Sequence, residues 1–210
     1  MKPPPQGLTK ASTVCVRLPT DYGDFKLTSY SHLDSLGLDH LAIWKRAGSR
    51  FVNPLVRIHS ECLTGDVFRS SRCDCGQQLD AAFAAIAREA EGILIYLRQE
   101  GRGIGLVNKL RAYNLQDTGL DTVEANQALG FAADLRDFGG AVAILADLGA
   151  SRIRLITNNP AKTRALRAAG VEITESVAAR ICVGPENERY LRAKQAKLGH
   201  ELQHLFEMSP

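Results

Sequence analysis

Cys62, Cys73 and Cys75 form a C-x10-C-x-C set, and Gly76 follows the last of them as a helical pattern begins. Three thiolates without a fourth cysteine nearby match a catalytic zinc centre, which keeps its fourth position for water; structural zinc closes its tetrahedron with four protein ligands. In such an open site a bound water's pKa falls to about 7 beside a Lewis acid. The same residues admit other readings: a closed site with His59 as fourth ligand, a redox pair at C-x-C, or three buried thiols. The C-x-C spacing is tighter than a zinc knuckle's, which speaks against a finger. Cys15 and Cys182 lie on apolar runs and read as inert core residues.

Two further segments suit an anion. RQEGRGIG, residues 98–105, runs from a strand pattern into a helix pattern, where free backbone N–H groups and small glycines accept phosphate and Arg102 adds charge. It is neither a P-loop nor the dinucleotide fingerprint, and a plain tight turn with a solvated arginine would read the same way. At Thr157-Asn158-Asn159-Pro160 a strand pattern ends, Pro160 can open a helix, and Lys162 falls in its first turn. A lysine there opposes the helix dipole, a cost that an anionic ligand would relieve. The alternative is an Asn-capped helix with an exposed Lys162.

These groups need a scaffold that brings strand ends together. The runs TVCVRL, GDFKLTSY and LDHLAIWK between Thr13 and Lys45 alternate and are punctuated by Pro19, Gly23 and Gly37, which predicts an antiparallel meander. PLVRIH, residues 54–59, is a further strand and delivers Cys62 at its end. From Leu79 through Ala82, Phe83 and Ile86 to Ala90 the period becomes helical, with Gly92 as the stop. Strand and helix then alternate: strand 93–97, glycine loop 101–105, helices to about 119, over 122–130 and over 142–148, strand 152–156, helix 162–169 and strand 171–174. Residues 186–205 are charge-rich and sparsely apolar, which predicts a helix on the surface or against a partner. The pattern favours a single α/β domain over 1–210, with a mixed sheet whose antiparallel N-terminal strands join strand–helix units. Residues 1–12 and about 206–210 read as flexible tails.

Composition bounds the function. The chain has 210 residues, 45% hydrophobic and 23% charged, so it needs no metal merely to hold a core. Its net charge of +3 is too small to argue for nucleic acid or an anionic membrane. No apolar run approaches the ~20 residues of a membrane helix. The N-terminus carries prolines at 3, 4 and 5 rather than a signal-like segment, so the cytoplasm is the expected compartment.

Taken together, RIHSECLTGDVF (57–68), RCDCG (72–76), RQEGRGIGL (98–106), DTVEAN (121–126), GFAADLRDF (130–138) and LITNNPAK (155–162) resemble GTP cyclohydrolase II over almost the whole chain. The resemblance implies opening of the imidazole ring of GTP with loss of formate and pyrophosphate, the first committed step of riboflavin synthesis. It implies one zinc ion per chain on Cys62, Cys73 and Cys75, and Mg²⁺ with the triphosphate. GTP contacts are implied at Arg57, Ile58, His59, Ser60, Glu61, Gln78, Glu100, Gly101, Arg102, Thr122, Thr157 and Lys162, and so is a homodimer. Asp134 and Arg136 match the family's proton acceptor and nucleophile, and Tyr113 its catalytic tyrosine. The i, i+2 spacing of Asp134 and Arg136 predicts an extended or irregular segment. A guanidinium is protonated at all ordinary pH, so a charge clamp on the α-phosphate is the simpler role for Arg136. Some relatives carry methionine at Tyr113 and retain the formyl group. The expected chemistry is hydration at C8 of guanine, opening of the C8–N9 bond and a second hydration that frees formate. The rivals are a cyclohydrolase arrested at the formylated product and a zinc-containing GTP sensor without turnover.

Overall fold

In the computed structural model, which describes residues 13–31, 33, 37–179 and 181–203, seven strands form one mixed sheet in the order β1-β2-β3-β5-β4-β6-β7. The segments expected as flexible tails fall outside the described residues apart from their borders. Strands β1 (Thr13–Thr20), β2 (Gly23–Tyr30) and β3 (His40–Arg46) form the antiparallel meander, with Thr20 opposite Gly23 at the hairpin and Tyr30 opposite His40. β5 (Glu91–Leu97) pairs antiparallel with β3 on one side and parallel with β4 (Leu55–Ser60) on the other. β6 (Arg152–Ile156) and β7 (Glu172–Val177) extend the parallel half.

The centre of that half is covered on both faces, and β5 accordingly carries an unbroken apolar run from Ile93 to Ile95, whereas the edge strand β7 is largely exposed. In β5, Ile93 and Ile95 join the core beneath α5 (Gly139–Asp147) and α6 (Pro160–Ala168), which includes Ile144, Leu145 and Leu166. Leu94, between them, points to the other face, against Ala82 and Ile86 of α2 (Cys75–Ala87). The parallel strands therefore release their carboxyl ends at a single edge. There lie the short α1 (Leu63–Asp66), the 3₁₀ turn Glu100–Gly103 leading into α3 (Gly105–Asp117), and the 157–159 junction. Ligands of open α/β sheets bind outside that edge. α4 (Thr122–Ala128) is fixed by a full capping box, Asp121 accepting from the Val123 and Glu124 amides while Glu124 accepts from the Asp121 amide.

The structure corrects three expectations. Cys15 and Cys182 are exposed: β1 is an edge strand whose apolar residues Val14 and Val16 also face solvent, and Cys182 lies in the loop after β7. Gly92 is not the stop of α2; the helix ends at Ala87, and Gly92 sits inside β5, where a side chain would collide with Ile86. The C-terminal helix α7 (Glu188–Leu198), expected on the surface or against a partner, keeps an exposed face with Arg189, Arg192 and Lys197, but its other face packs within the chain, onto α4, with Leu191 fully buried.

Candidate active site

Among the described residues, the Sγ atoms of Cys62, Cys73 and Cys75 lie within 4.8 Å of one another, the Cys62 and Cys73 sulfurs at 3.7 Å. Gly65 allows this approach, because a Cβ on it would stand 2.8 Å from the Cys73 sulfur and 3.1 Å from that of Cys62. Asp66 fixes the entry to the cluster. It accepts from the Cys62 amide at 3.0 Å, from the Tyr96 hydroxyl at 2.8 Å and from His59 Nε2 at 3.0 Å. His59 is thus occupied and stands outside the thiol cluster, which removes it as the fourth ligand. Burial holds the His59 imidazole neutral, with its pKa below the ordinary value.

Three adjacent sulfurs cannot all ionise unaided. Hydrogen bonds from Cys73 and Cys75 hold the Cys62 thiol well below its ordinary pKa, whereas the contact with Cys62 pushes Cys73 up to about 11 and Cys75 upward as well. A bound dication would supply the charge that lets all three act as thiolates. The donor set and the cradle at Gly65 fit a metal ion held by the three sulfurs.

α3 carries Lys109, Ala112, Tyr113 and Gln116 at i, i+3, i+4 and i+7, so one helical face lines the cavity beside the sulfurs. Lys109 donates to Cys62 Sγ at 3.1 Å and to Glu100 at 2.8 Å. The Tyr113 hydroxyl is 3.1 Å from Thr64 Oγ1, and burial raises its pKa, which keeps the phenol protonated. Glu100 is saturated by the Leu63 amide, the Gly101 amide and Lys109. Glu61 is less committed, with Arg98 at 3.5 Å, and burial raises its pKa.

The rest of the cavity wall is rich in cations. Arg57, on β4, donates to the Ile156 carbonyl at 3.1 Å and to Gln78, and burial lowers its pKa to about 10. Arg102 stands in the left-handed region (φ 59°), with both terminal nitrogens buried and without a hydrogen-bond partner. Lys162 is 5% exposed and donates only to the Ile58 carbonyl, at 2.8 Å. Burial first, then Arg57, Arg136 and Lys194, push its pKa well below the ordinary value. Asn159 caps α6 as expected, yet Lys162 turns inward. Arg136 lies in the irregular 131–138 segment and is held by Asp134 in a bidentate pair, the shorter contact at 2.5 Å. Burial opposes both charges, but the pair overrides it: Asp134 stays below and Arg136 above its ordinary pKa.

Nearly all of the sequence-predicted residues therefore meet in one cavity, with Ser60, Thr122 and Thr157 also on its walls. Ile58 and Asp134 are set apart. The Ile58 side chain is fully buried in the core and only its carbonyl reaches the site, through Lys162; Asp134 acts on the cavity through Arg136. Sequence reasoning missed Lys109, Asp66, Asp74, Tyr190, Lys194 and His200. Helical spacing from Tyr113 could have found Lys109; the last three carry no local signature.

The sequence model of GTP cyclohydrolase II matches residues 11–178. The chain belongs to the GTP cyclohydrolase II family. Riboflavin biosynthesis protein RibBA of Bacillus mycoides (strain KBAB4) is 56% identical over 188 residues, 89% of this chain and 47% of the relative. The proteins of that name from Bacillus cereus (strain AH187) and Bacillus cytotoxicus are 55% and 54% identical over the same shares. The chain thus spans about half the length of the curated relatives it matches. Among the described residues no helix is long and apolar enough to cross a membrane.

Proposed function

We propose that the chain is a cytoplasmic, homodimeric GTP cyclohydrolase II that acts in riboflavin biosynthesis, converting GTP to the diaminopyrimidinone ribosylamino phosphate with release of formate and pyrophosphate. One observation carries the reading: a three-thiol cluster and a group of buried, incompletely paired cations line one cavity. A ligand that suits both has a ring to be hydrated at one and several negative charges at the other, as GTP has.

Cys62, Cys73 and Cys75 would hold one zinc ion, which supplies Lewis acidity and an activated water. Glu61, the freer of the two carboxylates, accepts from guanine N–H groups, while Glu100 positions Lys109 and the α1 amide. Tyr113, protonated and anchored by Thr64, donates toward the opening ring. Arg57, Arg102 and Lys162 hold the triphosphate, whose remaining charge a Mg²⁺ ion would offset. Arg136 clamps the α-phosphate. Its raised pKa favours that electrostatic role over covalent attack, and the depressed Asp134 carboxylate serves to aim the guanidinium.

The test is incubation of zinc-loaded protein with GTP and Mg²⁺, following formate, pyrophosphate and product mass together. Formate and pyrophosphate in equal amounts, with the deformylated product, are expected. Pyrophosphate with a formylated product would move the chain to the arrested branch, and bound GTP without turnover would make it a sensor.

A further inference from the structure

The cavity extends beyond the segment matched by the family, because residues 181–203 roof it over. Lys194 of α7 is 8% exposed and its ammonium meets Asp74, the residue between two of the cysteines, at 2.8 Å. The same ammonium lies 4.4 Å from the centre of the Tyr190 ring, which also faces the Arg102 guanidinium at 5.8 Å. Beyond α7 the chain turns back over the site: the Glu201 amide donates to the Asn158 carbonyl at 2.9 Å, and Leu202 is fully buried. On its outer side α7 is tied to α4 and the turn before it, through Lys197 to Asp121 and Glu124 and through Arg189 to the Gly119 carbonyl.

Two features argue for a ligand beneath this roof. Arg57, Arg102 and Lys162 form no ion pair among the described residues, so Lys194 adds a charge to a group already short of anions. The cavity is partly open to solvent and measures about 120 Å³, against about 300–1,000 Å³ for sites that hold small ligands. Among the described residues Lys194 is the only cation of that roof buried against the cavity, so a polyanion held by Arg57, Arg102 and Lys162 lies beneath it.

We propose that residues 181–203 are part of the nucleotide site: as substrate enters, Lys194 leaves Asp74 for the triphosphate, and the segment closes over the bound nucleotide. The inference rests on the GTP reading above. Its distinct content is that the C-terminal segment grips the polyanion rather than being expelled by it.

Hydrogen–deuterium exchange on the full chain, with inorganic tripolyphosphate or GTP as probe, tests this. Peptides within 181–203 are expected to exchange several-fold more slowly with either probe, in the wild type and in Lys194→Arg, and peptides of β1 and β2 to stay unchanged. Lys194→Gln is expected to lose that protection and to raise the GTP KM about tenfold or more with kcat within a few-fold, as fits loss of one charge-assisted contact. Equal metal content in the variants excludes an indirect effect through Asp74. Unchanged or faster exchange in wild-type 181–203 would overturn the proposal, and so would a Lys194→Gln KM within twofold of wild type. Protection by tripolyphosphate without GTP turnover would overturn the GTP reading alone.

Discussion

The thiol and cationic ends of the cavity meet at Asp74, which Lys194 contacts, yet they are built by opposite means. The thiol end comes from one short stretch, Cys62 to Cys75, and its charges are matched at close range by Lys109, Glu100 and Asp66. The cationic end draws Arg57, Arg102, Arg136, Lys162 and Lys194 from five separate segments, and among the described residues only Arg136 and Lys194 have a carboxylate partner. One end is locally satisfied apart from its metal; the other holds charge in a low-dielectric place and is completed by an anion. On the function proposed above, the protein thus separates a preformed thiol cradle, whose charge a metal would balance, from a cationic group whose charge a substrate would balance.

The largest effect breaks the thiol end. Cys73→Ser should lose the metal and lower formate release to background, since three protein ligands leave no surplus. Metal analysis and formate assay check this, and a variant with full metal and full turnover would end the three-thiolate reading. Tyr113→Phe should slow formate release about 10²-fold, the scale of one proton donor, with pyrophosphate release changed only a few-fold. Equal losses of both products would remove Tyr113 from the ring chemistry.

Changes at the cationic end should trade affinity against stability. Lys162→Met should raise the GTP KM by about 10–100-fold, the loss of a charge-assisted contact, while making the ligand-free protein more stable by about 1 kcal/mol, since an unpaired buried charge disappears. The sign with pH follows. Lys162 binds its proton less tightly folded than unfolded, so wild-type stability rises with pH up to the unfolded lysine value of 10.5, and the variant's curve is flatter there. Urea midpoints against pH decide it.

The smallest effect concerns His200, whose pKa burial and then Lys194, Arg136, Lys162 and Arg102 push down to about 3. The unfolded chain takes up the proton first, so stability is lost as pH falls below 6.5, with a slope of up to about 1.4 kcal/mol per pH unit. His200→Gln should shallow that slope between about pH 6 and 4. An unchanged acid limb would mean that the 199–203 turn has already left the site at those pH values.

The contrast between the two ends also decides what could be read from sequence. Cysteine spacing, the glycine turn and the Asn-capped α6 are short-range signals, and they placed the metal cradle, Arg102 and Lys162 before any fold was known. The N-terminal meander and the strand–helix alternation were legible for the same reason, since period and turn residues act locally. The sheet order, with β4 inserted between β5 and β6, depends on pairings far apart in the chain and left no mark on any window of residues. Lys194 and His200 sit in a segment whose charge looks like ordinary solvated surface, and only the chain's return over Asn158 makes them part of the site. Cys15 shows the converse error: an apolar strand at a sheet edge has the same pattern as one in the core.

Arg102 puts this division into the terms of protein engineering. Its left-handed backbone is unfavourable for any side chain, on the order of 1–2 kcal/mol, and its guanidinium is buried without hydrogen bonds. Glycine at 102 would relieve both at once. A library selected only for heat resistance should therefore enrich Arg102→Gly and discard substrate affinity with it, whereas selection for flux through the enzyme would keep the arginine and accept a lower melting temperature.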